Sequence, residues 1–375
     1  MLRLVNYTID ELCAEVSSGR RTLVCYGAGG AFKNFLRMFG PTYLDGKITA
    51  VVDQRAVRSG GGAEVSEKNI PIYTLAETLT RVHGPLLILV TCQYLQEVYA
   101  ALEAEPALAG QTDHTVAFYG FVADQYYRQR IMSEAYSLPR RKPGESIPKV
   151  IHYCWFGRNP LPERYAKWME SWKKFCPDYE IVEWNEDNYD IHAHRYMAEA
   201  YEAGKWGFVP DYARLDIIYR YGGIYLDTDV ELVRNLDDLL QESAFAGFQD
   251  HCVNFGLGFG AVPHHEGIRI LRDAYDGVCF CRSDGSLNLL PSPAYQTDCL
   301  IEHGLSANGE RQNVLGIELY PCGWFSPMLH YSHRLVLNEN THSIHHFDGS
   351  WVAAREKSEW GSYPELFDRI EHVHE

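Results

Sequence analysis

The sequence predicts an α/β protein built as two domains. Three observations carry the prediction. Short apolar runs alternate with helical patterns from about residue 21, a stretch rich in proline and charge interrupts them at 137–149, and a second alternating set follows. Continuously apolar strands separated by helices imply a parallel, doubly wound sheet. The expected division is residues 1–136, a linker at 137–149, and residues 150–375.

The elements follow in order. "MLRLVNYTIDELCAEV" reads as an amphipathic helix with no signal peptide before it. "RTLVCYGAGGAFKNFLRMFG" reads as strand, glycine turn and helix, and "KITAVVD" as a second strand ending at Asp53. "PIYTLAETLTRV" gives an extended stretch and a helix, "PLLILVTC" a buried strand, "QYLQEVYAALEAE" a helix and "HTVAFYGF" a last strand. The turn from Gly27 to Gly30 is a partial dinucleotide fingerprint: Phe32 stands where the third glycine of GxGxxG belongs, and Asp53 lies near the place of a ribose-binding acid. A tight strand-to-helix turn without ligand explains the glycines equally well. This half resembles the small Rossmann-like domains of some bacterial polysaccharide-biosynthesis proteins. After the linker "SLPRRKPGESIPK", the string "KVIHYCWFG" reads as a strand, "PERYAKWMESWKKFCP" as a helix and "YEIVEWNEDNYD" as a strand with an acidic turn.

Composition narrows the function. Hydrophobic residues make up 46% and charged residues 22%, ordinary for a globular chain. The net charge, 34 − 50 = −16, argues against nucleic-acid and anionic-membrane partners. Ten cysteines without a CxxC pair read as reduced thiols of a cytoplasmic protein, with peripheral association at the inner membrane face or with a complex left open. The longest apolar run, "PLLILVTC", is too short to span a bilayer.

The chemistry concentrates in "VPDYARLDIIYRYGGIYLDTD". Pro210 suits a first helical turn and Gly222-Gly223 its stop. Asp211 and Arg214, three apart, share a face of that helix. Asp227 and Asp229 fall side by side if the following strand runs through them, since strand residues two apart point the same way. Their mutual repulsion calls for a cation, either a side chain or a hard divalent ion such as Mn²⁺ or Mg²⁺.

"IPKVIHYCWFG", "PDYARLDIIYRYGGIYLDTDV" and "SIHHFDGSW" together resemble the DxD sugar-binding region of glycosyltransferase family 32. The resemblance implies a GT-A type domain, a nucleotide-sugar donor (UDP- or GDP-sugar), a manganese or magnesium ion, and retaining hexosyl transfer to a glycan or lipid-linked oligosaccharide acceptor. It points to capsular polysaccharide, exopolysaccharide or lipopolysaccharide synthesis. Carried over by residue, Trp155 stacks on the donor base, and Asp211 and Arg214 hold the donor sugar. Asp227 contacts ribose or metal, Asp229 and His345 bind the metal, and Ser350 and Trp351 touch the diphosphate. His346 remains an alternative to His345, because adjacent strand residues face opposite ways. Tyr225 either packs or touches the donor, Trp155 is equally readable as core, and Asn254 faces the donor sugar. Gln296 and Asp298 are candidate neighbours of the anomeric carbon. No nucleophile stands out, which favours front-face transfer over double displacement. Two other readings compete: a NAD-dependent sugar-nucleotide oxidoreductase or epimerase resting on the glycine turn, and a nucleotide-sugar sensor without turnover.

Overall fold

The computed structural model describes residues 2–54, 64–65, 69–108, 113–137, 146–349 and 354–372. It divides into two compact units: Met1–Gln129 with Leu329–Arg334 and Ala353–Glu375, and Arg130–Met328 with Leu335–Val352. This corrects the expected division at 1–136 and 150–375, because the C-terminal segment returns to the first unit. The expected linker falls largely on residues 138–145, outside the described set.

The first unit opens with β1 (Arg3–Asn6), where the sequence suggested helix. Helix α1 (Ile9–Ser17) begins only after Thr8, whose side chain and that of Glu11 cap each other's main-chain N–H groups. Then come β2 (Thr22–Tyr26), α2 (Gly30–Phe39), β3 (Ile48–Val52), β4 (Glu64–Val65), β5 (Pro71–Tyr73), α3 (Leu75–Arg81), β6 (Leu86–Val90), α4 (Leu95–Glu103), β7 (Thr115–Phe118) and α5 (Tyr119–Ser133). The sheet runs β1-β7-β6-β2-β3-β5-β4, flanked at β1 by the strand Glu371–His372, and only the β4–β5 pair is antiparallel. Every residue of β6 is buried, as expected of a central parallel strand covered on both faces. The glycine turn follows β2, and Asp53 Oδ2 accepts the Ala28 N–H at 3.1 Å.

The second unit carries β8 (Val150–Cys154), α6 (Glu163–Phe175), β9 (Glu180–Trp184), α7 (Arg195–Glu202), α8 (Pro210–Tyr221), β10 (Gly223–Tyr225) and β11 (Val230–Leu232). There follow β12 (Ala244–Gln249), β13 (Cys252–Asn254), β14 (Phe259–Ala261), α9 (Glu266–Asp273), α10 (Ser292–Glu302), β15 (Gln312–Val314), β16 (Ile317–Tyr320), α11 (Cys322–Phe325) and β17 (Ser343–His345). Its mixed sheet is ordered β15-β16-β12-β14-β10-β8-β9, and β11 and β17 form a separate two-stranded pair. β10 lies between parallel β8 and antiparallel β14, so its end is held from both sides. Both units are α/β.

Candidate active site

Helix α8 places two charged groups in the interior. Pro210 starts it, Gly222 at φ 67° ends it, and the chain turns directly into β10. Asp211 and Arg214 are 5% and 4% exposed. Arg214 Nη2 donates to Asp211 Oδ1 at 3.2 Å and Nη1 to Asp227 Oδ2 at 3.4 Å, while Nε is spent on the Pro210 carbonyl at 3.0 Å. Its guanidinium also lies over the Tyr225 ring, 5.1 Å from the centroid. Asp211 further accepts from the Tyr196 hydroxyl at 3.3 Å and from Ser292. Burial lifts its carboxyl to about 6 against the opposing pull of Arg214.

The two aspartates meet in a turn rather than on a strand. β10 ends at Tyr225, and Asp227 and Asp229 occupy the turn into β11, closed by the Val230 N–H on the Asp227 carbonyl at 3.1 Å. The alternation argument is thereby corrected, although the carboxylates do converge. Tyr225, buried, donates its hydroxyl to Asp227 Oδ1 at 2.9 Å, so it braces the aspartate from below. Burial raises the Asp227 carboxyl, Arg214 lowers it, and the neighbouring Asp229 raises it again. Asp229 Oδ2 accepts the Asp348 N–H at 3.1 Å.

Strand pairing decides between the histidines. β17 runs antiparallel to β11 with Val230 opposite His345. His345 Nε2 lies 3.3 Å from Asp229 Oδ1 and 4.0 Å from Asp227 Oδ2. His346 faces elsewhere, stacked on Trp168 at 4.3 Å with Nε2 2.9 Å from Glu231. Asp227, Asp229 and His345 thus offer ligand atoms within 4.8 Å of one another, a donor set that fits a divalent ion such as Mn²⁺. His345 Nδ1 accepts the Phe347 N–H at 3.2 Å, which leaves Nε2 as the ring nitrogen turned to the aspartates. His345 would hold a divalent ion through Nε2, the ring nitrogen that faces the two aspartates.

The remaining predicted residues divide. Asn254, 8% exposed, is occupied by Gln249 Oε1 and the Gly256 N–H, both at 2.7 Å, so it shapes the loop under Asp227. Trp155 is half-buried just beyond β8, with its indole N–H on the Asn159 carbonyl at 2.6 Å and its ring 5.6 Å from Tyr165. Ser350 and Trp351 lie outside the described residues. Gln296 is buried near Tyr275.

Four contributors were not anticipated. Gly256 returns its carbonyl to the Asp227 N–H at 3.2 Å, and a Cβ there would stand 2.2 Å from Asp227 Oδ2. Asp348 supplies a main-chain N–H to Asp229, while its carboxylate takes Arg164 at 2.7 Å and the Tyr165 hydroxyl. Tyr196 and Ser292 complete the shell of Asp211. The glycine-rich string "NFGLGFG" and the aspartate of "HHFDGSW" were visible signals for the first two.

Comparison with known proteins bears on the same segment. Residues 162–246 match the family described as "Glycosyltransferase sugar-binding region containing DXD motif". The chain is 32% identical over 127 residues to inositol phosphoceramide mannosyltransferase 3 of Schizosaccharomyces pombe, covering 30% of this chain and 34% of that protein. It is 27% identical to mannosyl phosphorylinositol ceramide synthase SUR1 of Saccharomyces cerevisiae, covering 38% of each. A solved structure, PaToxG Glycosyltransferase, aligns at TM-score 0.36 and 18% identity over 49% of this chain and 78% of that one. The matched segment spans about a third of the curated relatives' length. These fungal relatives are named for a membrane lipid, inositol phosphoceramide, which overturns the expected cytoplasmic location. Among the described residues no helix is long and apolar enough to cross a membrane. The Asp211–Arg214 pair and the two aspartates therefore lie within the segment that matches the DXD-type glycosyltransferase sugar-binding family.

Proposed function

We propose that the chain is a metal-dependent, retaining glycosyltransferase on a GT-A type domain, moving a hexose from a nucleotide-sugar donor to a glycan or lipid-borne acceptor. The observation that supports it is the meeting of Asp227, Asp229 and His345 beside the buried Asp211–Arg214 pair. A divalent ion, when bound, neutralises the diphosphate of the departing nucleotide. Arg214 holds Asp211 and Asp227 in fixed relation, so donor sugar and leaving group are oriented by one cation. Above pH ~6 Asp211 is a carboxylate ready to accept sugar hydroxyls. The nearby carboxylates are engaged by Arg214, Tyr225 and the Asp348 N–H, which favours front-face transfer over covalent attack. The curated relatives' names favour a lipid-borne acceptor over a capsular one.

The test is a panel of UDP- and GDP-sugars with Mn²⁺, scored for hydrolysis and for transfer to lipid extracts. Turnover should require the metal, stop with EDTA, and fall at least a hundredfold in Asp229→Asn (about 2.7 kcal/mol of barrier). Near-normal turnover by that variant sinks the assignment.

A further inference from the structure

His152 stands in the middle of β8 and is 4% exposed. A buried imidazole needs partners for both ring nitrogens, and this one has them. The indole of Trp184, the last residue of β9, donates its N–H to Nδ1 at 3.0 Å. Nε2 lies 3.1 Å from the Gly222 carbonyl, which can only accept. Both contacts name the same form: a neutral ring with its proton on Nε2. Burial keeps it neutral, pulling the pKa down to about 4 against the opposing effect of the Gly222 carbonyl.

The main chain of the same residue holds a second point. His152 pairs with Tyr225 in the parallel β8–β10 ladder, and its carbonyl accepts the Leu226 N–H at 3.0 Å. Gly222 is where α8 stops, and Leu226 immediately precedes Asp227. His152 therefore grips both ends of the link between the helix carrying Asp211 and Arg214 and the turn carrying Asp227 and Asp229. The ring lies directly against that link, since a Cβ on Gly223 would stand 2.9 Å from Nε2. Trp184 adds a second hold, stacking on Tyr221, the last residue of α8, at 5.2 Å. Arg214 spans the same two groups from the other side, but at 3.2 and 3.4 Å its bonds are long for charge-assisted ones. The spacing therefore needs a second fixture.

We propose that His152 is a positioning residue that sets the distance between the Asp211–Arg214 pair and the Asp227–Asp229 turn. It acts through Gly222 and Leu226 rather than on the donor. The role deepens the transferase reading and rests on it.

The test uses the full chain and three variants. His152→Leu removes both ring contacts, whereas His152→Gln keeps an acceptor and a donor in one planar amide. Trp184→Phe keeps a ring on Tyr221, removes only the indole N–H, and carries the test should the leucine variant not fold. Hydrogen exchange gives a readout without turnover. The Leu226 and Asp227 amides should exchange about tenfold faster or more in His152→Leu and Trp184→Phe, with those of β12 and β16 unchanged. NMR of the ring nitrogens should show a neutral His152 at pH ~5.5, where an ordinary histidine is charged. With a donor and Mn²⁺, kcat for hydrolysis should fall about tenfold or more in His152→Leu and severalfold in Trp184→Phe. The Mn²⁺ requirement should hold, and His152→Gln should recover most of the rate. A charged ring at that pH, unchanged exchange at residues 226 and 227 in the folded variants, or a glutamine variant no better than leucine would each overturn the proposal. Failure of the transferase reading looks different: the wild type itself turns over no donor, and exchange and ring protonation still decide the role of His152.

Discussion

Gly256 shows how tightly the residues of the site are fitted. A Cβ at this position would lie 2.2 Å from Asp227 Oδ2, 2.9 Å from Arg214 Nη1 and 3.1 Å from Asn254 Oδ1. All three groups are held by other bonds, so none can retreat without breaking one. Gly256→Ala should therefore cost about 1–3 kcal/mol of stability by overpacking. It should also raise the Mn²⁺ concentration needed for donor hydrolysis at least tenfold, because Asp227 is the group displaced. Melting curves and metal titrations check both, and an unchanged metal requirement would show that Asp227 is not held by this contact. Such close approaches are hard to read from sequence. Asp211, Arg214, Asp227 and Asp229 were legible because one short segment carries them all. The choice of His345 over His346 was not, since it depends on which residue of β17 faces Val230 more than a hundred positions earlier.

At the scale of the element, long periodic segments were legible and short strands with distant partners were not. α4, α6 and α8 fall where apolar spacing and stop signals put them. β1 was misread because its four residues owe their state to distant partners, Arg3 and Leu4 to Thr115 and Val116 in β7, and Val5 and Asn6 to Glu371 and His372. The local signal of Thr8 and Glu11 did mark where helix begins. α5 yields a prediction of its own. Its Asp124, 1% exposed, accepts the main-chain N–H groups of Tyr331 at 3.3 Å and Ser332 at 2.5 Å. Burial outweighs these donors and lifts the carboxyl to about 6 from 3.8. Below pH ~4 the group is protonated whether folded or not. Between pH ~4 and ~6 the folded state keeps a proton that the unfolded chain has released, so stability falls as pH rises. The loss is complete above pH ~6 and totals roughly 3 kcal/mol at 1.36 kcal/mol per unit. Denaturant titrations across that window should show the slope in the wild type and a flatter response in Asp124→Asn. A variant with the same slope would mean that another group titrates there.

The whole molecule departs most from a reading along the chain. A linker rich in proline and charge invites a cut into consecutive domains, but the chain's last described helix, Ala354–Arg369, serves the first unit. Its Tyr363 and Phe367 are 1% and 4% exposed within that unit's core. Phe367 lies 5.0 Å from Phe121, Tyr363 lies 5.1 Å from Phe118, and the strand Glu371–His372 pairs with β1. Nothing in the local pattern of residues 354–372 announces a partner so distant in sequence. Burying an aromatic side chain is worth roughly 1.5–3 kcal/mol, so these two rings alone represent a large part of the ~5–15 kcal/mol that holds a domain together. Deleting 353–375 should therefore strip hydrogen-exchange protection from β2, β6 and β7. The Asp227–Asp229–His345 group lies in the other unit and should retain metal-dependent donor hydrolysis. Deleting 1–136 alone should do worse, leaving the aromatic face of the last helix without its core and driving aggregation. Removing 1–129 together with 353–375 should restore a monodisperse species on size exclusion. Were the 1–136 deletion alone to be monodisperse and fully active, the C-terminal helix would not depend on the first unit's core.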